Sequence, residues 1–493
     1  MTGYAARRRA NWRARLRIRD GGTLLLAILL GAALGRSIAD GSIMLVGLVA
    51  GCVFIIALAQ RPWLPYVVCA ALVSTFATPS SLPQFGLPGE PALTDFVLFA
   101  AFAAWLLVIA RGEAARPSAF PLAPQLLMGI FLLAVIGGVV VGTANGAQSA
   151  VSGARDVSYY AVFWLALTMF GDLRQRAFIL KLAAIGAVVL VVAQVLQGFF
   201  GLHPMLFYDH DPLRELIRCP SGGCADPKAE GFPRVRPPGL VLIYVVACFA
   251  TSYLLWGPGH RRRLVLALLA VCMVGILVSL NRNMIIGLTA GLVLAGLLAS
   301  RRGRFAVVGA VLIVVSLSAL ELVRHSPSLQ QNTIAARVLS IEAASQVEQS
   351  ASIQDRLREN NAALKTLSKS PIEGVGWGVP YGVSDFVFEN GVFTDVRRGF
   401  IHNQYLGLWL RTGILGLASF VALLGLSIGY GTRYLRSRPE EDAWIGAGVI
   451  TSLTAIAVSS IVAIYVIEPS WAAITAGLMA LAANLERDLL TDR

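Results

Sequence analysis

Apolar runs of about 17–25 residues recur along nearly the whole chain, each long enough to cross the hydrocarbon core of a bilayer. No other feature restricts the fold so tightly. Inside hydrocarbon every backbone N–H and C=O must be satisfied by the protein itself, which leaves helices or a closed barrel. A barrel needs short segments of alternating polarity, and the sequence has none. Of the 493 residues, 56% are hydrophobic and only 14% charged, with a mean hydropathy of +0.69, whereas soluble domains carry about 25% charged residues. The expected fold is all-α: a polytopic helical membrane protein of about 12–14 transmembrane helices.

Candidate spans fall at roughly 21–37, 42–59, 63–80, 93–110, 122–142, 157–171, 178–200, 238–257, 264–280, 284–300, 305–323, 403–430, 443–467 and 470–486. They divide the chain into transmembrane helices over 1–323, interrupted by a polar loop at 201–237, a large polar insertion at 324–402, and C-terminal transmembrane helices over 403–493. The net charge of +13 is a topology signal. Arginines crowd ahead of the first span (Arg7 to Arg19) and between alternate spans, at Arg61, Arg111, Arg116, Arg174, Arg176, Arg261 to Arg263, Arg301, Arg302, Arg304, Arg433, Arg436 and Arg438. The positive-inside rule assigns these to the cytoplasm. Both termini are then cytoplasmic, and 201–237 and 324–402 lie outside. The basic residues are expected to meet lipid headgroups and not nucleic acid. The arginine-rich start runs into a long apolar segment without a small-residue cleavage site, so it reads as a first anchor.

Cys52, Cys69, Cys248 and Cys272 lie in spans and read as packing residues, whereas Cys219 and Cys224 flank Pro220-Ser221-Gly222-Gly223 in the outer loop. A disulfide suits that spacing in an oxidising compartment; two free thiols and a metal-binding pair are the alternatives. No internal repeat is evident, which disfavours a transporter of duplicated halves. In the large insertion, Ser352 to Lys369 reads as a helix with Ile353, Leu357, Leu364 and Leu367 on its apolar side, ended by Pro371. Glu373-Gly374-Val375-Gly376-Trp377-Gly378 follows. Its glycines permit tight turns or a close backbone approach to a ligand, but no Gly-Lys-Ser/Thr follows to make a nucleotide loop. Phe386 to Phe400 reads as an irregular loop.

Five cationic or titratable residues fall on the outer face: Arg155, Arg236, Arg282 in the turn Ser279-Leu280-Asn281-Arg282-Asn283, Arg356 and His402. Charges near a bilayer are costly unless they pair, snorkel or work, and the arginine fork suits phosphate oxygens. Each also has a structural reading. Arg282 can cap a hairpin or touch lipid phosphate, Arg356 can pair with Asp355 or Glu359, and Arg236 can mark the interface, as can Arg155 beside Asp156. His402 can merely adjoin a helix cap supplied by Asn403. His203 and His210, with Asp209 and Asp211, fit no standard metal spacing. Glu468-Pro469 reads as a helix break.

Arg356 with its helix, Pro371, Gly374-Val375-Gly376-Trp377-Gly378, His402-Asn403-Gln404-Tyr405-Leu406 and Gly413-Ile414-Leu415-Gly416 together resemble the O-antigen ligase/polymerase superfamily, as do Asn281-Arg282-Asn283 and Arg234-Val235-Arg236-Pro237-Pro238-Gly239 upstream. The resemblance covers about 230–430 and implies a GT-C-like membrane glycosyltransferase on the outer face of the cytoplasmic (inner) membrane, inverting and independent of metal or other cofactor. The implied donor is an undecaprenyl-pyrophosphate-linked glycan. The acceptor is a glycolipid for a ligase and another carrier-linked glycan for a polymerase. By resemblance Arg282, Arg356 and His402 are the catalytic residues. Arg236, Asn403 and Arg155 are candidates for substrate binding, and Trp377, Tyr381, Phe386, Phe388 and Phe393 either stack on sugars or pack the insertion. A polysaccharide transporter is the expectation from another class.

Overall fold

The computed structural model describes residues 43–75, 93–112, 119–171, 173–200, 239–279, 282–298, 356–382, 384–389, 392–397, 401–438, 440–463 and 468–492. These form a helical bundle. In chain order the helices are α1 (Ile43–Leu58), α2 (Leu64–Thr75), α3 (Leu93–Ala110), α4 (Leu122–Ala144), α5 (Ala150–Arg155), α6 (Val162–Met169), α7 (Leu173–Phe200), α8 (Leu240–Trp256), α9 (Arg262–Val278), α10 (Arg282–Leu298), α11 (356–367), α12 (Gln404–Ser437), α13 (Glu440–Ser459) and α14 (Pro469–Thr491). Among the described residues, four helical stretches are long and apolar enough to cross a membrane: Leu122–Ala144, Arg174–Leu196, Gln404–Ser437 and Asp442–Ser459. The expected spans at 21–37 and 305–323 lie outside the described residues.

One expected span is corrected. Residues 157–171 are not a single crossing helix but a 3-10 turn (Asp156–Ala161) followed by the eight residues of α6. At 1.5 Å per residue α6 is about 12 Å long. Apart from the half-buried Trp164, every residue of α6 is buried. An apolar run this short reads the same whether it faces lipid or the inside of a bundle.

The centre of the bundle is α14, buried continuously from Ser470 to Glu486. It packs on α2, the 3-10 turn, α6, α8, α12 and α13. Helices in lipid associate by close packing, which favours small residues, and α14 supplies Ala472, Ala473, Ala476, Gly477, Ala480, Ala482 and Ala483. Its start at Pro469, with the Ala472 N–H donating to the Glu468 carbonyl at 2.8 Å, confirms the break read from Glu468-Pro469. A second close seam joins α10 to α13: Cβ atoms on Gly287 and Gly291 would collide with Ala455, Ser459 and Thr451. A third joins α4 to α12 through the rings of Phe131, Tyr160 and Phe420, whose centroids lie 5.3–5.7 Å apart.

The two ends of the bundle differ in chemistry. At one end Arg176 pairs with Asp488 at 2.5 Å, Arg433 with Glu486 at 3.1 Å, and Arg438 with Asp492. There Arg436 Nε donates to the Leu298 carbonyl at 2.7 Å. These ties join the start of α7 to the C-terminal ends of α10, α12 and α14. His402 precedes the other end of α12, which at 34 residues is about 50 Å long.

Where an irregular loop is expected over 386–400, the structure has an antiparallel hairpin, β1 (Ser384–Glu389) with β2 (Val392–Arg397), in register from Ser384↔Arg397 to Glu389↔Val392. The sequence signal was Asn390-Gly391 between two β-prone runs.

Candidate active site

The site is built around a helix that breaks. Gly413, inside α12, has φ 66° and ψ −176°, a conformation essentially confined to glycine. The break frees backbone groups, and the glycine-rich loop takes them up. Ile414 N–H donates to the Ile372 carbonyl at 2.9 Å, and the Leu410 carbonyl accepts from Val375 N–H at 2.7 Å and Gly376 N–H at 3.2 Å. On its other side the loop lies against α4: Trp377 N–H donates to the Gly138 carbonyl at 3.0 Å. Asn145 Nδ2 donates to the Val375 carbonyl at 3.0 Å. Gly374, Gly376 and Gly378 all have positive φ, and a Cβ on Gly376 would strike the backbone of Gly142 and Gly138. The glycines thus permit a close approach to α12, to α4 and to the start of α5. Trp377 is fully buried and Tyr381 nearly so, which favours packing over sugar stacking for this pair. Arg411, not singled out from the sequence, places its guanidinium 4.8 Å from the Trp377 ring centroid.

The broken helix holds His402 at its mouth. Asn403 is the N-cap, its side chain accepting from Leu406 N–H at 3.3 Å. The structural reading of Asn403 is therefore present in the fold. Gln404 N–H donates to the Ser460 carbonyl at 3.1 Å, and Tyr405 Oη to the Ala457 carbonyl at 2.9 Å, which fixes this mouth to the end of α13. Ile401 is buried in a small core with Ala363, Leu367, Tyr381 and Leu410. That core reverses part of the expected face of α11. Glu359, Ala363 and Leu367 point inward, while Leu357 and Leu364 are exposed.

Glu359 is the residue that sequence reasoning missed. Its carboxylate is completely buried, beside a His402 side chain that is 31% exposed. Oε2 accepts the His402 backbone N–H at 3.1 Å. Nδ1 of the His402 ring lies 2.9 Å from Oε2 and 3.1 Å from Oε1. The spacing Glu359, Ala363, Leu367 was the available signal, since it puts the acid on the same helical face as two residues of core type.

The arginines are placed by their helices. Arg356, half-buried, stands one turn before Glu359 on α11, the i,i+3 relation that makes side chains neighbours. Arg282 is the first residue of α10. The following carbonyl, of Asn283, accepts from Ser459 Oγ at 3.0 Å, and the next, of Met284, from Tyr244 Oη at 2.7 Å. Because Ser459 and Ser460 are consecutive, the starts of α10 and α12 are fastened to the same end of α13. Arg155 places Nη1 3.8 Å from Asp95 and Nε 3.9 Å from Asp156. Burial pushes the Asp156 carboxyl up to about 6, against the pull of the Arg155 guanidinium. Arg236, Cys219 and Cys224 lie outside the described residues, as do His203 and His210.

Residues 264–421 match the family model described as O-Antigen ligase. The match runs from α9 into α12 and takes in Arg282, α11, the glycine loop, His402 and Gly413. No curated protein matches the chain.

Proposed function

From the match of residues 264–421 to the O-antigen ligase family model, we propose that the protein transfers a glycan from an undecaprenyl-pyrophosphate carrier to a hydroxyl group of a glycolipid acceptor. The transfer takes place on the outer face of the cytoplasmic membrane. The observation that carries this reading is the pairing of His402 with the buried Glu359, one helical turn from Arg356, with the first turn of α10 secured to the same end of α13. The distribution of charge supports the orientation, since the arginine-rich end lies at the opposite end of α12.

The chemistry required is modest. The acceptor oxygen attacks the anomeric carbon, the bond from that carbon to the pyrophosphate oxygen breaks, and the electron pair leaves on the pyrophosphate. Arg282 and Arg356 bind the leaving group and offset its growing charge, an interaction that strengthens toward the transition state and so accelerates the reaction. His402 receives the acceptor hydroxyl at the exposed end of the site. Attack from the face opposite the leaving group inverts the anomeric centre. With two permanent cations on the leaving group, the reaction is proposed to run without a metal ion. Asn403, already committed to the helix cap through its oxygen, has its amide NH2 for a sugar hydroxyl.

Purified protein in nanodiscs, given an undecaprenyl-pyrophosphate-linked repeat unit and a lipid A-core acceptor, is expected to glycosylate the acceptor in the presence of chelator. Extension of the repeat unit without the lipid acceptor assigns a polymerase instead. Activity lost in chelator and restored by a divalent cation overturns the metal-independent part. Movement of the lipid-linked glycan across a vesicle membrane without sugar transfer overturns the whole reading in favour of a transporter.

A further inference from the structure

We infer that Glu359 is a positioning residue that fixes the tautomer of His402, making Nε2 the atom that removes the acceptor proton; the inference rests on the glycosyl-transfer reading above. A buried carboxylate is expensive unless it is paired and hydrogen-bonded, and both oxygens of Glu359 lie within hydrogen-bond distance of His402. Oε2 takes the backbone N–H of His402 at 3.1 Å, so that oxygen acts as an acceptor. Arg356, one turn away on α11, adds positive charge on the same side of the helix. An N–H donor and a nearby guanidinium are the surroundings of a carboxylate that acts as an acceptor. An ionised carboxylate can only accept, and Nδ1 at 2.9 Å must then carry the hydrogen. In the neutral ring the remaining nitrogen, Nε2, is left with its lone pair.

The backbone bond matters as much as the ring bond. A carboxylate that bonded only the ring could rotate with it. Here one group holds both ends of the side chain, which sets the ring's position along the helix mouth as well as its protonation. The contrast in burial fits the division of labour, with Glu359 sealed from water and the His402 side chain partly open to it. The proton balance is complete without any further reagent. The acceptor O–H proton passes to Nε2 as the carbon–oxygen bond forms and the pyrophosphate departs with the electron pair of the broken bond. The resulting imidazolium sits against the Glu359 carboxylate, which stays ionised, and it returns the proton to water through its exposed edge.

The test uses the full-length protein in nanodiscs. Glu359→Gln keeps the shape, and because the His402 backbone N–H claims the amide oxygen, the NH2 faces Nδ1 from the Oε1 position at 3.1 Å, which weakens the preference for hydrogen on Nδ1. It is expected to lower kcat by about 10²–10⁴-fold, with donor KM changed by less than about twofold, and Glu359→Asp to recover part of the loss. The chain has five histidines. Nitrogen-15 NMR of histidine-labelled protein, with His402 assigned by difference against His402→Asn, is expected to show hydrogen on Nδ1 in the wild type. A wild-type His402 with hydrogen on Nε2, or a Glu359→Gln enzyme that keeps half its kcat, overturns the inference. Should Glu359→Gln not fold, the wild-type spectrum and Glu359→Asp decide. If the protein transfers no sugar, the functional reading fails, while the tautomer seen by NMR still judges the role of Glu359.

Discussion

Gln404 and Ser460 are joined through their backbones, N–H to carbonyl at 3.1 Å, which ties the mouth of α12 to the end of α13. Ser459, the neighbour of Ser460, holds the carbonyl of Asn283 with its hydroxyl at 3.0 Å. Two consecutive residues of α13 and its end therefore set where His402 and Arg282 begin relative to each other. Below them the α10–α13 seam admits no side chain at Gly287 or Gly291.

That seam predicts a separation of effects. Gly291→Val would drive a side chain into the Thr451 backbone and move α10, so a large loss of both thermal stability and transfer is expected. Ser459→Ala removes a hydrogen bond worth about 1 kcal/mol and leaves the helices in contact. Thermal unfolding of the detergent-purified proteins should rank wild type above Ser459→Ala and Ser459→Ala well above Gly291→Val. The reverse order would show that the seam does not fix α10.

His402→Ala is expected to abolish transfer to the acceptor while the protein is still recovered from membranes in normal amount. Asn403 keeps its cap to Leu406 in this variant, so α12 retains its start. Assay of purified protein with a lipid-linked donor measures this directly, and near-normal rates would remove His402 from the chemistry.

Arg282→Ala and Arg356→Ala should each cost about 2–4 kcal/mol of transition-state stabilisation, by analogy with the loss of one donor to a developing oxyanion. That corresponds to roughly 30- to 1000-fold in kcat/KM. Lysine at either position retains the charge but not the two-pronged geometry and should restore only part of the rate. Arg155→Ala should be milder in transfer and act mainly on stability, since that guanidinium lies between Asp95 and Asp156.

Gly413→Ala tests the break in α12. Alanine at φ 66° is strained by about 1–3 kcal/mol, and its Cβ would also meet the Ile372 carbonyl. A marked fall in the thermal midpoint is expected. Gly425→Ala, on the same helix with open space around the site, is the control and should be neutral or slightly stabilising because alanine is the better helix former.

The spanning helices α4, α7 and α12 were legible because a long apolar window suits little besides a crossing helix once a bilayer is the solvent. The broken stretch from Ala150 to Met169 was not, since buried and lipid-facing residues are chemically alike. His402 and Arg356 could be named from their setting, but Glu359 looked like one more acid in a polar insertion. Its burial is decided by Ile401 and the core around it, which arrive much later in the chain. The glycine loop was recognisable as a place of close approach, yet which surface it approaches is decided by Gly138 and Gly142, far upstream. Patterns along a chain report what a residue can tolerate, and the partner is chosen by packing.

The burial of α14 also has a consequence for biogenesis. This helix leaves the ribosome after every other described element, yet it occupies the middle of them. Until it is made, Tyr66, Tyr244 and the α6 segment lack the surface they pack against. Assembly of the site is in that sense a late event. The ties through Ser459 and Ser460 belong to a bundle whose central helix is the last described element to be made.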